Sequence, residues 1–202
     1  MYFIKTPSIF KKLFPSLIWD IPTTEKELYI TFDDGPTPEL TFWIMEELKK
    51  HDAQATFFCV GNNVCNHPEV YGRLFTSNHA VGNHTFNHLN GWKTKNKDYF
   101  RNIQQCKEFV PSKLFRPPYG KLKFSQISAL KDFYKIIMWD VLSGDFDKNV
   151  SKEQCLKNSL NHIKPGSIIV FHDNERFTEK IKYVLPKFLK HFSEKGYSFL
   201  SL

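Results

Sequence analysis

The sequence predicts an α/β fold built on a parallel sheet or barrel, and three observations carry that prediction. Apolar runs rich in β-branched and aromatic residues recur along the chain, helix-length stretches separate them, and several runs are apolar on both faces. Strands covered by helices on both sides read that way, because neither face meets water. At 202 residues the chain suits one domain, large enough to bury roughly 70% of its unfolded surface.

Residues 1–26 read as a leader that packs on the domain formed by residues 27–202. Its "IFKKLF" is amphipathic and basic and could touch a membrane surface, although packing across the domain is the expectation. Strands are then expected at "ELYITF" (27–32), "ATFFCV" (55–60), "HAVGN" (79–83), "LFRPP" (114–118), "YKIIMWDV" (134–141), "SIIVFH" (167–172) and "YSFLSL" (197–202). Helices are expected over Pro38–Lys50, Asn62–Thr76, Lys95–Glu108, Phe124–Lys131, Ser151–Ile163 and Thr178–Glu194, with Ser151 and Gln154 forming a capping box. About seven mostly parallel strands result.

Composition narrows the function. The formal net charge is +7, yet the lysines are spread through the segments and no nucleic-acid-reading motif occurs, so a nucleic-acid partner is not expected. Cys59, Cys65, Cys106 and Cys155 are widely spaced and read as free thiols. No apolar run approaches the 18 or so residues of a membrane span, and the leader shows no secretion signal. A cytoplasmic monomer is the expectation, with peripheral membrane contact or another export route as alternatives.

In such folds functional side chains gather at the carboxyl ends of strands. Asp33 and Asp34, His84 and His88, Arg116 and Tyr119, Asp145, and His172 and Asp173 each fall at or just after a strand end, so one rim could collect them. Two adjacent carboxylates in "TFDDGP" need a cation nearby, either a metal or an arginine. "HTFNH" places His84 and His88 four apart, which puts both imidazoles on one side. Alone that spacing is a weak metal signal. With Asp33 or Asp34 it makes a two-His, one-Asp set that suits a divalent ion, Zn²⁺ first and Co²⁺, Ni²⁺ or Mn²⁺ as alternatives. Arg116, on the "RPPYG" turn, could equally hold a carboxylate or form a surface salt bridge. A single His such as His172 is more often a satisfied core residue, and Asp140 and Asp147 could simply be solvated. The set as a whole is harder to assign to packing.

The order "TFDDGP", "HTFNH", "RPPYG", "SGDFD", "VFH" resembles the polysaccharide deacetylase family, the NodB-homology or carbohydrate esterase family 4 enzymes, from about Tyr29 onward. The resemblance implies a distorted, incomplete (β/α) barrel and a metal-dependent hydrolase that removes N-acetyl groups from an N-acetylated sugar of chitooligosaccharide or peptidoglycan type. By it, Asp33 matches the catalytic base, Asp34, His84 and His88 the metal triad, Arg116 the residue that steadies the base, and His172 the general acid. Tyr119 matches the residue whose backbone N–H faces the oxyanion, and Asp145 an acid supporting His172 or Arg116, with His172 preferred. Pro118, Tyr119, Phe146 and Val170 are the expected substrate contacts. The fourth motif usually reads D-x-x-D-W, and here Leu142 and Phe146 hold its outer positions; the fifth usually reads L-x-H, and here Val170 replaces its leucine. Those changes alter the wall of the acyl pocket. An O-acetyl esterase, a small-amide hydrolase or an idle carbohydrate-binding relative are the alternatives.

Overall fold

The computed structural model describes residues 2–202. Nine strands, β1 (Leu17–Ile18), β2 (Glu27–Asp33), β3 (Ala55–Cys59), β4 (Ala80–Asn83), β5 (Leu114–Phe115), β6 (Lys135–Ile137), β7 (Val141–Leu142), β8 (Ile168–His172) and β9 (Ser198–Phe199), form one sheet. Its order is β1-β6-β5-β4-β3-β2-β8-β7, with β9 added to the start of β2, and all the strand pairs are parallel. Among the described residues eight α-helices are interspersed with them: α1 (Ser8–Leu13), α2 (Pro38–Lys49), α3 (Gly61–Asn66), α4 (Pro68–Thr76), α5 (Asn96–Phe109), α6 (Phe124–Leu130), α7 (Lys152–Asn161) and α8 (Thr178–Glu194).

Connectivity forces this sheet to curl. β6 and β7 lie six strand spacings apart in the order, roughly 29 Å in a flat sheet. Only Met138, Trp139 and Asp140 join them, a link that reaches about 14 Å at most. The two flanks must therefore approach each other, and the result is a curled, open half-barrel. The run expected as one strand over 134–141 is thus two short strands. Met138 N–H still bonds to Ile18 on the β1 side, whereas Asp140 N–H already bonds to Ile168 on the β8 side.

The core explains why β2 is central. Leu28, Ile30 and Phe32 pack with α2 and α8 side chains on one face, and Phe32 stacks between Phe57 and Phe171 at 5.0 and 5.9 Å. Such pairs add about 0.5–1.5 kcal/mol each beyond the area they bury. On the other face Tyr29 shares a smaller cluster with Phe58, Ile137 and Ile168.

Two expected elements differ for local reasons. The helix foreseen over 62–76 breaks at His67, because Pro68 carries no N–H and pushes the residue before it out of the helical region. At α7, Ser151 does cap Gln154 N–H, but the Gln154 side chain turns to Asn158, so the reciprocal half of the capping box is missing. The leader also does more than pack on the surface. It supplies edge strand β1, and Lys5 and Lys11 both reach Asp140, which is fully buried and further bonded by Ser167 rather than solvated. Asp147, for its part, accepts a hydrogen bond from Tyr2 in the leader.

Candidate active site

Strand register delivers the functional residues to one rim. Asp33 closes β2 directly opposite His172, the last residue of β8, and Asn83 at the end of β4 lies opposite Phe115, so that His84 and Arg116 each follow at the same level. Asp33, Asp34, His84, His88, Tyr119, Phe146, Val170 and His172 all line a cavity of about 420 Å³. Arg116 and Asp145 are fully buried behind it. Pro118 is the exception: it is buried in the turn over Pro118–Gly120 and does not line the cavity.

Arg116 organises the floor. Its Nη1 donates to Asp33 Oδ1 at 2.7 Å and Thr31 Oγ1 at 2.6 Å, Nη2 to Met138 O at 2.8 Å and Nε to Ile137 O at 3.3 Å. The guanidinium also lies 4.1 Å from the centre of the Phe58 ring. A planar fork with this many fixed partners has little freedom, so the Asp33 carboxylate is held in one orientation.

Asp34, His84 and His88 form a second cluster. Their candidate ligand atoms lie within 4.8 Å of one another. Asp34 Oδ1 is 3.1 Å from His88 Nε2 and 3.8 Å from His84 Nε2. Tetrahedral bonds of about 2.0–2.1 Å place ligand atoms roughly 3.3–3.4 Å apart, and the two separations bracket that spacing. Each imidazole is oriented through its other nitrogen. His84 Nδ1–H donates to Arg116 O at 2.8 Å, and His88 Nδ1 pairs with the Tyr119 hydroxyl at 3.1 Å, leaving both Nε2 atoms turned to Asp34. Burial pulls His84 down to about 4, so it is neutral at pH 7, as a ligand must be. Burial acts to raise Asp34, but its hydrogen bond with His88 and the nearby His172 and His84 outweigh this and hold its carboxyl below the ordinary range. A borderline N₂O donor set of this size fits a divalent ion.

Across the cavity, Asp145 grips His172 twice: Oδ2 accepts the His172 backbone N–H at 2.6 Å and Oδ1 accepts Nδ1–H at 2.8 Å. Of the two partners left open for Asp145, His172 is the one it touches. Burial alone would lower the imidazole, yet the charge and hydrogen bond of Asp145 push it up to about 9. His172 is therefore mostly protonated at neutral pH, with Nε2–H free. The stabilisation from that charge is fully present below His172's ordinary value near 6.5 and is lost as pH rises through about 9.

Backbone strain gathers here. Asp34, Thr85, His88 and Tyr119 all have positive φ, at 82°, 64°, 54° and 60°. Each costs about 1–3 kcal/mol for a residue with a Cβ, and the surrounding bonds hold them in place. Gly35 shows the tightness of the loop. A Cβ there would lie 2.2 Å from Asp173 Oδ2, because the buried Asp173 carboxyl is drawn in by Thr37 and Thr41 at the start of α2.

With this geometry in view, comparison with known proteins is decisive. The family profile described as polysaccharide deacetylase matches residues 20–133, more than half of the chain. The chain belongs to the polysaccharide deacetylase family. A peptidoglycan-N-acetylglucosamine deacetylase of Bacillus cereus is 29% identical over 95% of this chain and 94% of its own length. A solved peptidoglycan N-acetylglucosamine deacetylase in complex with a naphthyl-bearing N-oxidanyl-benzamide superposes with a TM-score of 0.89 at 30% identity, covering 98% of this chain and 95% of that one. A carbohydrate esterase family 4 pseudoenzyme from Bacillus anthracis superposes with a TM-score of 0.80 at 27% identity, covering 92% of this chain and 66% of that one. The resemblance carried by the motifs and the half-barrel fold thus agree with the family.

Several lining residues of this deacetylase-family site had no signal in the sequence. Asn174 donates to Asp34 Oδ2 at 3.2 Å and lies two positions beyond the "VFH" motif. Tyr2 reaches the cavity from the leader, touching Phe146 at 5.0 Å between ring centres, and nothing local announces so distant a contact. Trp139 enters from the link between β6 and β7.

Proposed function

We propose that this chain removes N-acetyl groups from an N-acetylated sugar of peptidoglycan or chitooligosaccharide type and releases acetate. One observation carries the reading: a carboxylate fixed by a buried arginine, Asp33, lies in one cavity with the Asp34–His84–His88 cluster and with the His172 imidazole backed by Asp145.

Amide hydrolysis needs a base for water, a place for the oxyanion and an acid for the amine. Asp34, His84 and His88 would hold a divalent ion, Zn²⁺ by donor preference, which when bound polarises the acetyl carbonyl and makes water easier to deprotonate. Asp33 takes the proton from the attacking water; Arg116 keeps its carboxylate oriented for that step. The tetrahedral oxyanion is assigned to the backbone N–H of Tyr119, a residue that lines the cavity. His172 Nε2–H then passes a proton to the departing sugar amine, and Asp145 stabilises the imidazole in both states. Water adds and the C–N bond breaks without a covalent enzyme intermediate.

The test is acetate release from N-acetylglucosamine oligomers and peptidoglycan, beside acetylated xylan and simple amides, before and after chelation. Release from the N-acetylated sugars, lost on chelation and regained with Zn²⁺, is the expected result. Preference for the xylan would assign an O-acetyl esterase instead, preference for the amides a small-amide hydrolase, and no release from any substrate an idle relative.

The pH profile offers a second check. Removing the Asp145 charge in Asp145→Asn takes away what raises His172, so the imidazole loses its proton at lower pH. The alkaline limb of kcat/KM, assigned to His172, is expected to shift to lower pH in this variant. An unmoved limb would show that His172 is not the proton donor.

A further inference from the structure

The excess positive charge of this chain is gathered around one face. Three segments, 2–19, 89–97 and 119–127, carry eight lysines and no aspartate or glutamate. The rest of the chain then holds 20 basic and 21 acidic residues, a formal charge of −1 against +7 for the whole. Lys5 and Lys11 are spent on Asp140, and Lys12, Lys93, Lys95, Lys97, Lys121 and Lys123 remain around the face.

The same three segments frame an aromatic groove of about 340 Å³ beside the active site, sharing Tyr119, Gly120, Lys121 and Trp139 with the catalytic cavity. Apolar side chains also stand outside the groove. Ile9 and Leu13, four apart on α1, are 55% and 63% exposed, Phe124 is 78% exposed, and Phe3, Phe10 and Trp92 continue the patch. None of the α1 residues is buried. A six-residue helix is far too short to persist alone, so it is held by its flanks: Phe14 stacks on Phe124 at 5.6 Å, and Lys11 pairs with Asp20 and Asp140.

We infer that this face docks on an anionic lipid membrane surface, with the active-site mouth beside it. Lysines interleaved with outward aliphatic and aromatic side chains, with Asp20 and Asp98 at the margins paired to Lys11 and Arg101, match a headgroup and acyl boundary in both charge and polarity. A groove made only for an acidic glycan would account for Trp92 and the lysines. It would leave the aliphatic Ile9 and Leu13 facing water with no partner. The contact inferred is interfacial, and no helix among the described residues is long and apolar enough to cross a membrane.

Sedimentation with vesicles tests this on the full chain. Binding is expected to vesicles of mixed phosphatidylglycerol and phosphatidylcholine, to be weak for phosphatidylcholine alone, and to fall between about 0.15 M and about 0.5 M salt. Lys12→Gln and Lys93→Gln should each weaken binding about fivefold, and Ile9→Glu with Leu13→Glu about tenfold or more. The latter pair touches no catalytic residue, so its melting temperature and its turnover of soluble substrate should match the parent. The readout is binding, so failure of the deacetylase reading would leave this result standing. No sedimentation, equal binding to neutral vesicles, binding unchanged in the Ile9 and Leu13 variant, or capture by a soluble acidic polysaccharide in place of vesicles would each overturn the assignment.

Discussion

Asp33→Asn is expected to lower kcat by roughly 10²–10⁴-fold, the range typical for loss of a positioned general base, while leaving divalent-ion affinity unchanged. The amide keeps the size of the carboxylate and its oxygen can still accept from Arg116, but it cannot take a proton from water. Asp34, His84 and His88 do not depend on Asp33 for their orientation: His84 is held by Arg116 O, His88 by Tyr119, and Asp34 by Asn174. Arg116 loses one anionic partner but retains Thr31, two backbone carbonyls and the Phe58 face, so the fold should survive. Acetate-release kinetics and calorimetric titration with Zn²⁺ give the two readouts. Parent-level turnover would sink the assignment of Asp33, and loss of ion binding alongside turnover would show that Asp33 belongs to the ligand set instead.

How much of this was legible in the sequence depended on where the information lay. β2, β3 and β8 could be read directly, because a strand buried on both faces is a continuous apolar run and Asp33 or His172 ends it abruptly. The site was legible for the same reason: polar groups that water cannot reach must be paired, and each pair sits just beyond such a run. Pairings between distant segments left no local mark. β1 is only Leu17–Ile18, too short to show a period, and it becomes a strand only because β6 lies beside it. The leader that brings Tyr2 to the cavity is tied down by Lys5 and Lys11 at Asp140, a pairing between segments more than a hundred residues apart. The break at Pro68 was different. Its signal was present in the sequence, because Pro68 falls inside the stretch expected as one helix.

Arg116→Met is expected to be the most destabilising single change at the site. Arg116 is among the largest fully buried side chains, and burial pulls its guanidinium below its ordinary value while Asp33 opposes that shift. Removing it strands the Asp33 carboxylate at 4% exposure with no counter-charge and takes donors away from Ile137 O, Met138 O and Thr31. Breaking a buried pair from one side costs about 3–5 kcal/mol. In a chain of this size that lowers the melting temperature by about 2–4 °C per kcal/mol. Methionine fills much of the vacated volume, so most of the loss reports the unpaired charge rather than a cavity. Adding Asp33→Asn to Arg116→Met removes that charge, and the double variant should recover part of the lost stability although its activity stays low. Thermal unfolding of the parent, both single variants and the double completes the cycle. A double variant no more stable than Arg116→Met alone would mean that Arg116 supports the fold through packing and its carbonyl contacts, with the Asp33 pair contributing nothing measurable.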